Sequence, residues 1–299
     1  IFDMENRQPG DLHYLTVGSQ DERWGMVVTT VGYQFVPPGG SYPLSRHPDG
    51  YDFKPQSGRV LGEYQMVYIT RGDGYFSSAS SRRQKVSAGT MMLLFPDEWH
   101  DYRPNPSTGW DEYWVGFRGE AVDALFRGRF FTREEPLIHI GVSATVVGLY
   151  EDLLGFAQRE KSGCQQMSSG IVLHILGAVY YKRKNQAFTN NTYVVDKINQ
   201  ARIMMKERCE GDLSCEEVAR RLGLGYSWFR RMFRQYTGVP PAQYMLQQKI
   251  LRAKELLSAT DLNISEIAYR LHFENPGQFA TSFRKKTGMT PSDFRRRAR

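Results

Sequence analysis

The phrase FRQYTGVPP at residues 233–241 returns fifty residues later as FRKKTGMTP at 283–291, and a chain that carries one phrase twice must fold it into two copies of one local structure. Upstream the agreement continues at an offset of 49, DLSCEEVARRL (212–222) against DLNISEIAYRL (261–271). Each copy opens on a helix start. Ser214 with Glu217, and Asn263 with Glu266, have the spacing of a capping box, in which two side chains satisfy otherwise orphaned amides. Val218, Ala219 and Leu222, matched by Ile267, Ala268 and Leu271, give each helix a short apolar face. After a turn, GLGYS or HFENPG, a second helix is predicted, with Phe229 and Phe233 matching Phe279 and Phe283 at i, i+4 on its inner side. Its outer side is cationic: Arg230, Arg231 and Arg234 in one copy, Arg284, Lys285 and Lys286 in the other. Gly238 and Gly288 supply a left-handed stop, and Pro241 and Pro291 open the next segment.

Helix, tight turn, basic helix and stop is the helix-turn-helix pattern, whose second helix lies in the DNA major groove. Between the copies, Leu246, Ile250, Ala253 and Leu257 predict one amphipathic spacer helix. Such a spacer can hold two recognition helices about 34 Å apart on one side of a duplex. The alternative is a helical bundle whose basic faces are only solvated. Charge favours the DNA reading: from 192 onward 20 Lys/Arg face 11 Asp/Glu, whereas residues 1–191 hold 19 against 21, so the net charge of +7 belongs to the last third.

The double motif, with its EIAYRL…F…FRKKTGMTPSDFR ending, resembles the DNA-binding domain of the AraC/XylS transcription regulators over about residues 193–299, with units at about 213–236 and 262–286. The resemblance implies base-reading positions at Ser227, Arg230 and Arg231 in the first unit and at Pro276, Gly277, Ala280 and Thr281 in the second, with Arg234, Arg284 and Lys285 as further DNA-binding residues. Proline, glycine and alanine offer no side-chain hydrogen bonds, and His272 stands where the family has a turn glycine. The expectation is therefore that the first unit reads bases and the second grips phosphate. The tail RRRAR (295–299) reads as a solvated terminus able to add phosphate contacts.

From 60 to 117 the period becomes strand-like: EYQMVYIT, YFSS, RRQKVSAGT and MMLLFPDEWH read as strands joined by glycine turns, RGDG among them, in a barrel or sandwich. In DEYWVGF, Tyr113, Val115 and Phe117 share one face; Glu112, Trp114 and Gly116 share the other. A flat aromatic ring beside a carboxylate and a gap suits a sugar, whose C–H face stacks while its hydroxyls take polar partners. The alternative is a core tryptophan with Glu112 at the rim. The segment GRVLGEYQMVYITRGDGYF…AGTMMLLFPDEWHDYRP…EYWVGF is similar to the cupin-type, arabinose-binding-like effector domain of the same family, which implies effector contacts at Arg59, Tyr102, Glu112 and Trp114. A histidine stands in the arabinose regulator where Glu112 is here, so a different ligand is expected.

Metal-dependent cupin enzymes are the first rival, since PDEWH (96–100) is similar to their second motif. Their closely spaced histidine pair is missing: the six histidines lie at 13, 47, 100, 139, 174 and 272, so His100 reads as a hydrogen-bonded barrel residue and no enzyme is expected. A non-specific architectural DNA-binding protein is the second rival. Residues 142–184 return to helical period, with stripes at Val146, Leu149, Leu153 and Phe156 and at Ile171, Ile175, Ala178 and Val179, and REKSGCQQ between them. This hairpin either caps the barrel or, by the resemblance, dimerises.

The fold expected is thus two-domain: an all-β cupin-like barrel (1–141), a helical hairpin (142–184), a polar linker (185–192) and an all-α domain with two helix-turn-helix motifs (193–299). Three cysteines without CxxC spacing, no apolar stretch near 18 residues and no export signal at IFDMENRQPG predict a soluble cytoplasmic protein. Expected partners are double-stranded operator DNA, a mono- or oligosaccharide effector, a second copy of the chain and RNA polymerase, with no cofactor, metal or membrane.

Overall fold

Residues 10–43, 57–189 and 191–298 are described by the computed structural model, and chain contacts divide it after Asn185 into two units. The first unit runs β1 (Gly10–Tyr14), a turn of helix α1 (Ser19–Glu22), β2 (Val27–Val36), β3 (Tyr64–Ser78), β4 (Gln84–Ser87), β5 (Thr90–Leu94), β6 (His100–Pro104), β7 (Trp110–Arg118), α2 (Glu120–Arg127), β8 (Leu137–His139), α3 (Ala144–Arg159) and α4 (Cys164–Thr189), whose last residues, from Gln186, fall in the second unit. The main sheet has the order β1-β2-β7-β3-β5-β8, and the far half of β3 pairs with β4 and β6.

RGDG is therefore not the glycine turn the sequence suggested. β3 runs through it: at Gly72 (φ +79°) the register against β7 has just slipped, between Ile69 and Arg71, and Asp73 and Gly74 go on to pair with β4. The kink lets one strand serve both sheets and fold them over an interior of Val36, Val67, Ile69, Phe76, Met92 and Trp110.

Strand alternation gives the sheet two unlike faces. Val31, Met66, Tyr113, Val115 and Phe117 turn outward and are covered by Val146, Tyr150 and Leu153 of α3 and by Val172, Ile175 and Val179 of α4. Both expected hairpin stripes thus lie partly or wholly against the barrel. α4 is also longer than expected at both ends. It begins at Cys164, so Gln165 and Gln166 are helical rather than connecting, and it continues to Thr189 through most of the segment read as a linker. KNQAFT is polar and aperiodic but contains no helix breaker, and Phe188 is held in the second unit's core against Tyr236, 5.2 Å between ring centroids.

The second unit runs α5 (Thr192–Glu207), α6 (Cys215–Arg221), α7 (Tyr226–Thr237), α8 (Pro241–Ala259), α9 (Ile264–Arg270), α10 (Pro276–Thr287) and α11 (Pro291–Ala298). Each helix-turn-helix has its own core. Phe229 and Phe233 pack with Val218, Ala219 and Met245, and Phe279 and Phe283 with Ile267, Ala268 and Leu257. All four phenylalanines are fully buried, each stabilising its reader by about 1.5–3 kcal/mol. α8 serves both cores, Met245 from its first half and Ile250, Ala253 and Leu257 from its second, which makes it a shared wall as well as a spacer.

The start and stop signals have particular partners. Asn263 and Glu266 form the full reciprocal box. Ser214 accepts from the Glu217 amide at 3.1 Å, but the return bond is absent because the Glu217 carboxylate pairs with Arg220 and Arg221 instead. Gly238 and Gly288 close α7 and α10, both at φ +81°. The basic tail is not simply solvated: α11 is helical to Ala298, and Arg295 donates to the Leu257 and Leu262 carbonyls beside the C-terminal end of α8.

Candidate effector pocket and nucleic-acid interface

One small cavity inside the first unit, partly open to solvent, is lined by Leu12, Tyr14, Thr30, Gln34, Tyr42, Pro43, Arg59, Gln65, Tyr102, Glu112 and Trp114. Arg59, Tyr102, Glu112 and Trp114, spread over more than fifty residues of sequence, meet here. Register is the reason. Thr30, Gly32 and Gln34 of β2 lie opposite Gly116, Trp114 and Glu112 of β7, so two inward-facing rows interlock. A Cβ on Gly32 would fall 2.2 Å from Trp114 Cζ2, so the indole occupies the space that only a glycine leaves.

Thr30, Gln34, Gln65, Tyr42 and Gly32 were not expected at the site. The signal for the β2 residues was present: VVTTVGYQFV alternates small and polar Thr30, Gly32 and Gln34 with Val31, Tyr33 and Phe35, as DEYWVGF does.

The polar groups divide by how well they are satisfied. The Arg59 Nη2 donates to the Tyr102 hydroxyl at 2.9 Å and to Gln65 Oε1 at 3.3 Å, and its Nε donates to His100 Nε2 at 3.3 Å. That last bond requires a neutral ring whose Nδ1–H donates to the Glu98 carbonyl, 3.1 Å away. Burial, and then the Arg59 charge, hold His100 neutral, down to about 3. Burial also pushes Tyr102 up to about 12. Glu112, by contrast, is 4% exposed, and among the described residues its hydrogen-bond partner is the Tyr42 hydroxyl, at 3.4 and 3.5 Å. Burial pushes it up to about 8, against the pull of Arg59 and Tyr42. Thr30 Oγ1 and Gln34 Nε2, buried at 1% and 2%, have no hydrogen-bond partner among the described residues. Three inward polar groups on adjacent strands are thus left for something else to satisfy.

These shifts set a pH dependence. Folded Glu112 keeps a proton that the unfolded chain releases above about 4.5, so its contribution is complete at low pH and is lost as pH rises to about 8. Folded His100 refuses a proton that the unfolded chain takes below about 6.5, so its contribution falls as pH drops toward 3. The two oppose each other between about 4.5 and 6.5. From about pH 6.5 to 8 Glu112 acts alone of the pair, and urea unfolding of the ligand-free protein is expected to lose on the order of 1–2 kcal/mol. Glu112→Gln should flatten that window; an unchanged slope would show that Glu112 titrates normally.

On the second unit, Ser227, Arg230, Arg231 and Arg234 of α7 and Gly277, Thr281, Arg284 and Lys285 of α10 are exposed, while Pro276 and Ala280 are half-buried. Three acidic residues are engaged elsewhere: Glu217 holds Arg220 and Arg221, Glu210 holds Arg252 and Arg270, and Asp293 holds Arg296. Among the described residues no ion pair engages Arg230, Arg231, Arg234, Arg284, Lys285 or Lys286. The unpaired cations of this unit therefore include both second helices. His272 adopts φ +51°, as Gly223 does at +69°, so the second turn keeps its left-handed residue without glycine.

A ligand-binding β-domain followed by a paired helix-turn-helix unit defines a ligand-responsive DNA-binding regulator. Comparison with known proteins agrees: the AraC-like ligand binding domain matches residues 38–176 and the helix-turn-helix domain matches residues 218–297. The chain is 24% identical over 250 residues to the Msm operon regulatory protein of Streptococcus mutans, covering 83% of this chain and 88% of that one. It is 24% identical over 241 residues to the MmsAB operon regulatory protein of Pseudomonas aeruginosa, covering 79% and 76%. A solved AraC-type DNA-binding-domain regulator from Chromobacterium violaceum is 28% identical, covers 36% of this chain and 96% of its own, and gives a TM-score of 0.34. The chain belongs to the AraC family of transcription regulators. Those two relatives are named operon regulatory proteins. No helix among the described residues is long and apolar enough to cross a membrane.

Proposed function

We propose that this chain is a sequence-specific, cytoplasmic transcription regulator controlled by a neutral mono- or oligosaccharide bound between β2, β6 and β7. The carrying observation is the Trp114 ring seated over Gly32 beside three under-satisfied polar groups, Thr30, Gln34 and Glu112. A sugar hydroxyl both accepts and donates, so one hydroxyl can accept from the Gln34 amide and donate to Glu112, its cross-strand neighbour. The ring's C–H face would stack on the indole. Glu112 is ionised only above about pH 8, and there a carboxylate in place of that hydroxyl would meet it with like charge, so uronic acids are disfavoured in that range.

The DNA side of the proposal assigns base reading to Arg230 and Arg231 and phosphate contacts to Arg284 and Lys285. A homodimer, if built on α4, must use the face opposite Ile175 and Val179, where Met167, Leu173 and Tyr181 are exposed. Non-specific architectural binding is separated by competition: an operator binder keeps a large specific-to-random ratio as salt weakens both.

A thermal-shift screen of pentoses, hexoses, disaccharides and the matching uronates, run above about pH 8 where Glu112 is ionised, tests the pocket. A bound sugar at a hundred times its Kd adds about 2.7 kcal/mol, or roughly 5–10 °C in a unit of this size. Neutral sugar should stabilise and its uronate should not, with the shift lost in Trp114→Ala. Equal stabilisation by the uronate, or a shift that survives Trp114→Ala, would remove the proposed contacts.

A further inference from the structure

The edge of β2 changes partner close to the pocket. β1 covers it from Gln34 back to Thr30, opposite Tyr14, and Leu15 N–H then donates to the Thr29 carbonyl at 2.9 Å. At Val28 the next partner is a side chain. Gln165 of α4 accepts from the Val28 N–H at 2.9 Å and donates to the Val28 carbonyl at 2.9 Å and the Thr16 carbonyl at 3.1 Å. Its amide thus substitutes for a strand. One turn on, Ser169 donates to the Met26 carbonyl at 2.8 Å, and Gln166 donates to Asp21 at 2.8 Å. Gln165 is 6% exposed and Ser169 1%, so these are buried polar pegs on a helix whose later turns hold the sheet by apolar contact.

The gripped point is also where β2 is irregular. Its register against β7 slips between Val28 and Thr30, leaving Thr29 as the extra residue of a bulge. Two routes lead from there into the cavity. Along the chain the next residue is Thr30, whose buried hydroxyl has no partner among the described residues. Through side chains, Thr29 donates to Glu63, Glu63 accepts from Gln65 at 3.1 Å, and Gln65 accepts from Arg59 at 3.3 Å. A bulge has discrete alternative pairings rather than a continuum, so a ligand that engages Thr30 favours one of them, and Gln165 is bonded to the backbone that must respond.

We infer that Gln165 is a positioning residue that couples the pocket strand to α4: it fixes the β2 bulge carrying Thr30, and occupancy of the pocket in turn tightens the first two turns of α4. This rests on the reading of the cavity as an effector site, and by linkage the coupling is reciprocal.

The test is amide hydrogen exchange on the full-length protein. Without ligand, Gln165→Met should speed exchange of residues 27–34 at least tenfold, with the Val28 amide most affected and residues 215–287 unchanged. Ser169→Ala, which removes a neighbouring buried bond, should leave 29–34 as in the wild type. Should Gln165→Met not fold, Gln165→Glu, which keeps an acceptor for Val28 but sets an acceptor oxygen against the Val28 and Thr16 carbonyls, should give the same direction. In the second arm, D-glucose, D-galactose, D-xylose, L-rhamnose and melibiose are added in turn. A binding sugar should protect both 27–34 and 164–170 in the wild type, but only 27–34 in Gln165→Met. Unchanged ligand-free exchange in the Gln165 variants, or a sugar that protects 27–34 and never 164–170 in the wild type, overturns the coupling. If none of the five protects either segment, the sugar reading fails, and the ligand-free comparison still decides whether Gln165 holds the bulge.

Discussion

Gly32→Ala is expected to abolish effector binding, at least a hundredfold in Kd, while removing only a hydrogen and adding a methyl. The added carbon would sit 2.2, 2.5 and 2.6 Å from three atoms of the Trp114 ring, inside any tolerable contact. β2 cannot retreat, because Gly32 is paired with Leu12 of β1 on one side and Trp114 of β7 on the other. The indole has to move, and the space available to it is the cavity, where it would stand in the ligand's place. Overpacking of this kind costs about 1–3 kcal/mol of stability. The double variant Gly32→Ala with Trp114→Ala should recover most of that stability and none of the binding, since the stacking face is then gone. Calorimetric titration with a sugar that stabilises the wild type, beside urea unfolding of the four proteins of the cycle, checks both halves. A Gly32→Ala protein that binds normally would mean that the ring is free to lie elsewhere and that the pocket has been assigned to the wrong surface.

The case of Gly32 also shows where sequence reading stops. Trp114, Glu112 and Gly116 could be placed on one face from DEYWVGF alone, because strand alternation is a local property. Which strand lies opposite is not local: the alternation of Thr30, Gly32 and Gln34 is visible in VVTTVGYQFV, but that it faces Gly116, Trp114 and Glu112 follows only from the register of β2 on β7. That those two atoms lack partners is a relation among three strands, invisible in any one of them. The same holds for Gln165, where glycine and serine at 162–163 punctuate like a loop although the next residues begin α4 and dock on β2. In the second unit nearly everything was legible, because each signal acts within a few residues: the caps at Asn263, Gly238 and Gly288, and the i, i+4 phenylalanines. What escaped there was competitive, as when Glu217 prefers two arginines to its own cap.

Replacing Arg230 and Arg231 together by alanine should lower operator affinity by about 2–6 kcal/mol and flatten the difference between operator and random DNA. Both side chains are exposed on α7, one and two positions after buried Phe229, so their removal leaves the core that supports the helix untouched. Neither is in an ion pair among the described residues, so each guanidinium is available to guanine O6 and N7 at no cost in broken internal contacts. The comparison that gives the experiment its force is Arg284→Ala with Lys285→Ala on α10. At the base-reading positions of that helix, Gly277 and Ala280 have no hydrogen-bonding side chain and Thr281 has a single hydroxyl, so its cations are expected to act on phosphate. The second pair should weaken operator and random DNA alike and lower the slope of log K against log salt by about 2, whereas the first pair should act mainly on the operator. Fluorescence anisotropy over a salt series, with circular dichroism to verify folding, reads all four quantities. If the α10 pair proves to carry the discrimination and the α7 pair only the salt dependence, the division of labour runs the other way, and α10 must read bases through Thr281 and its lysines in spite of the missing side chains.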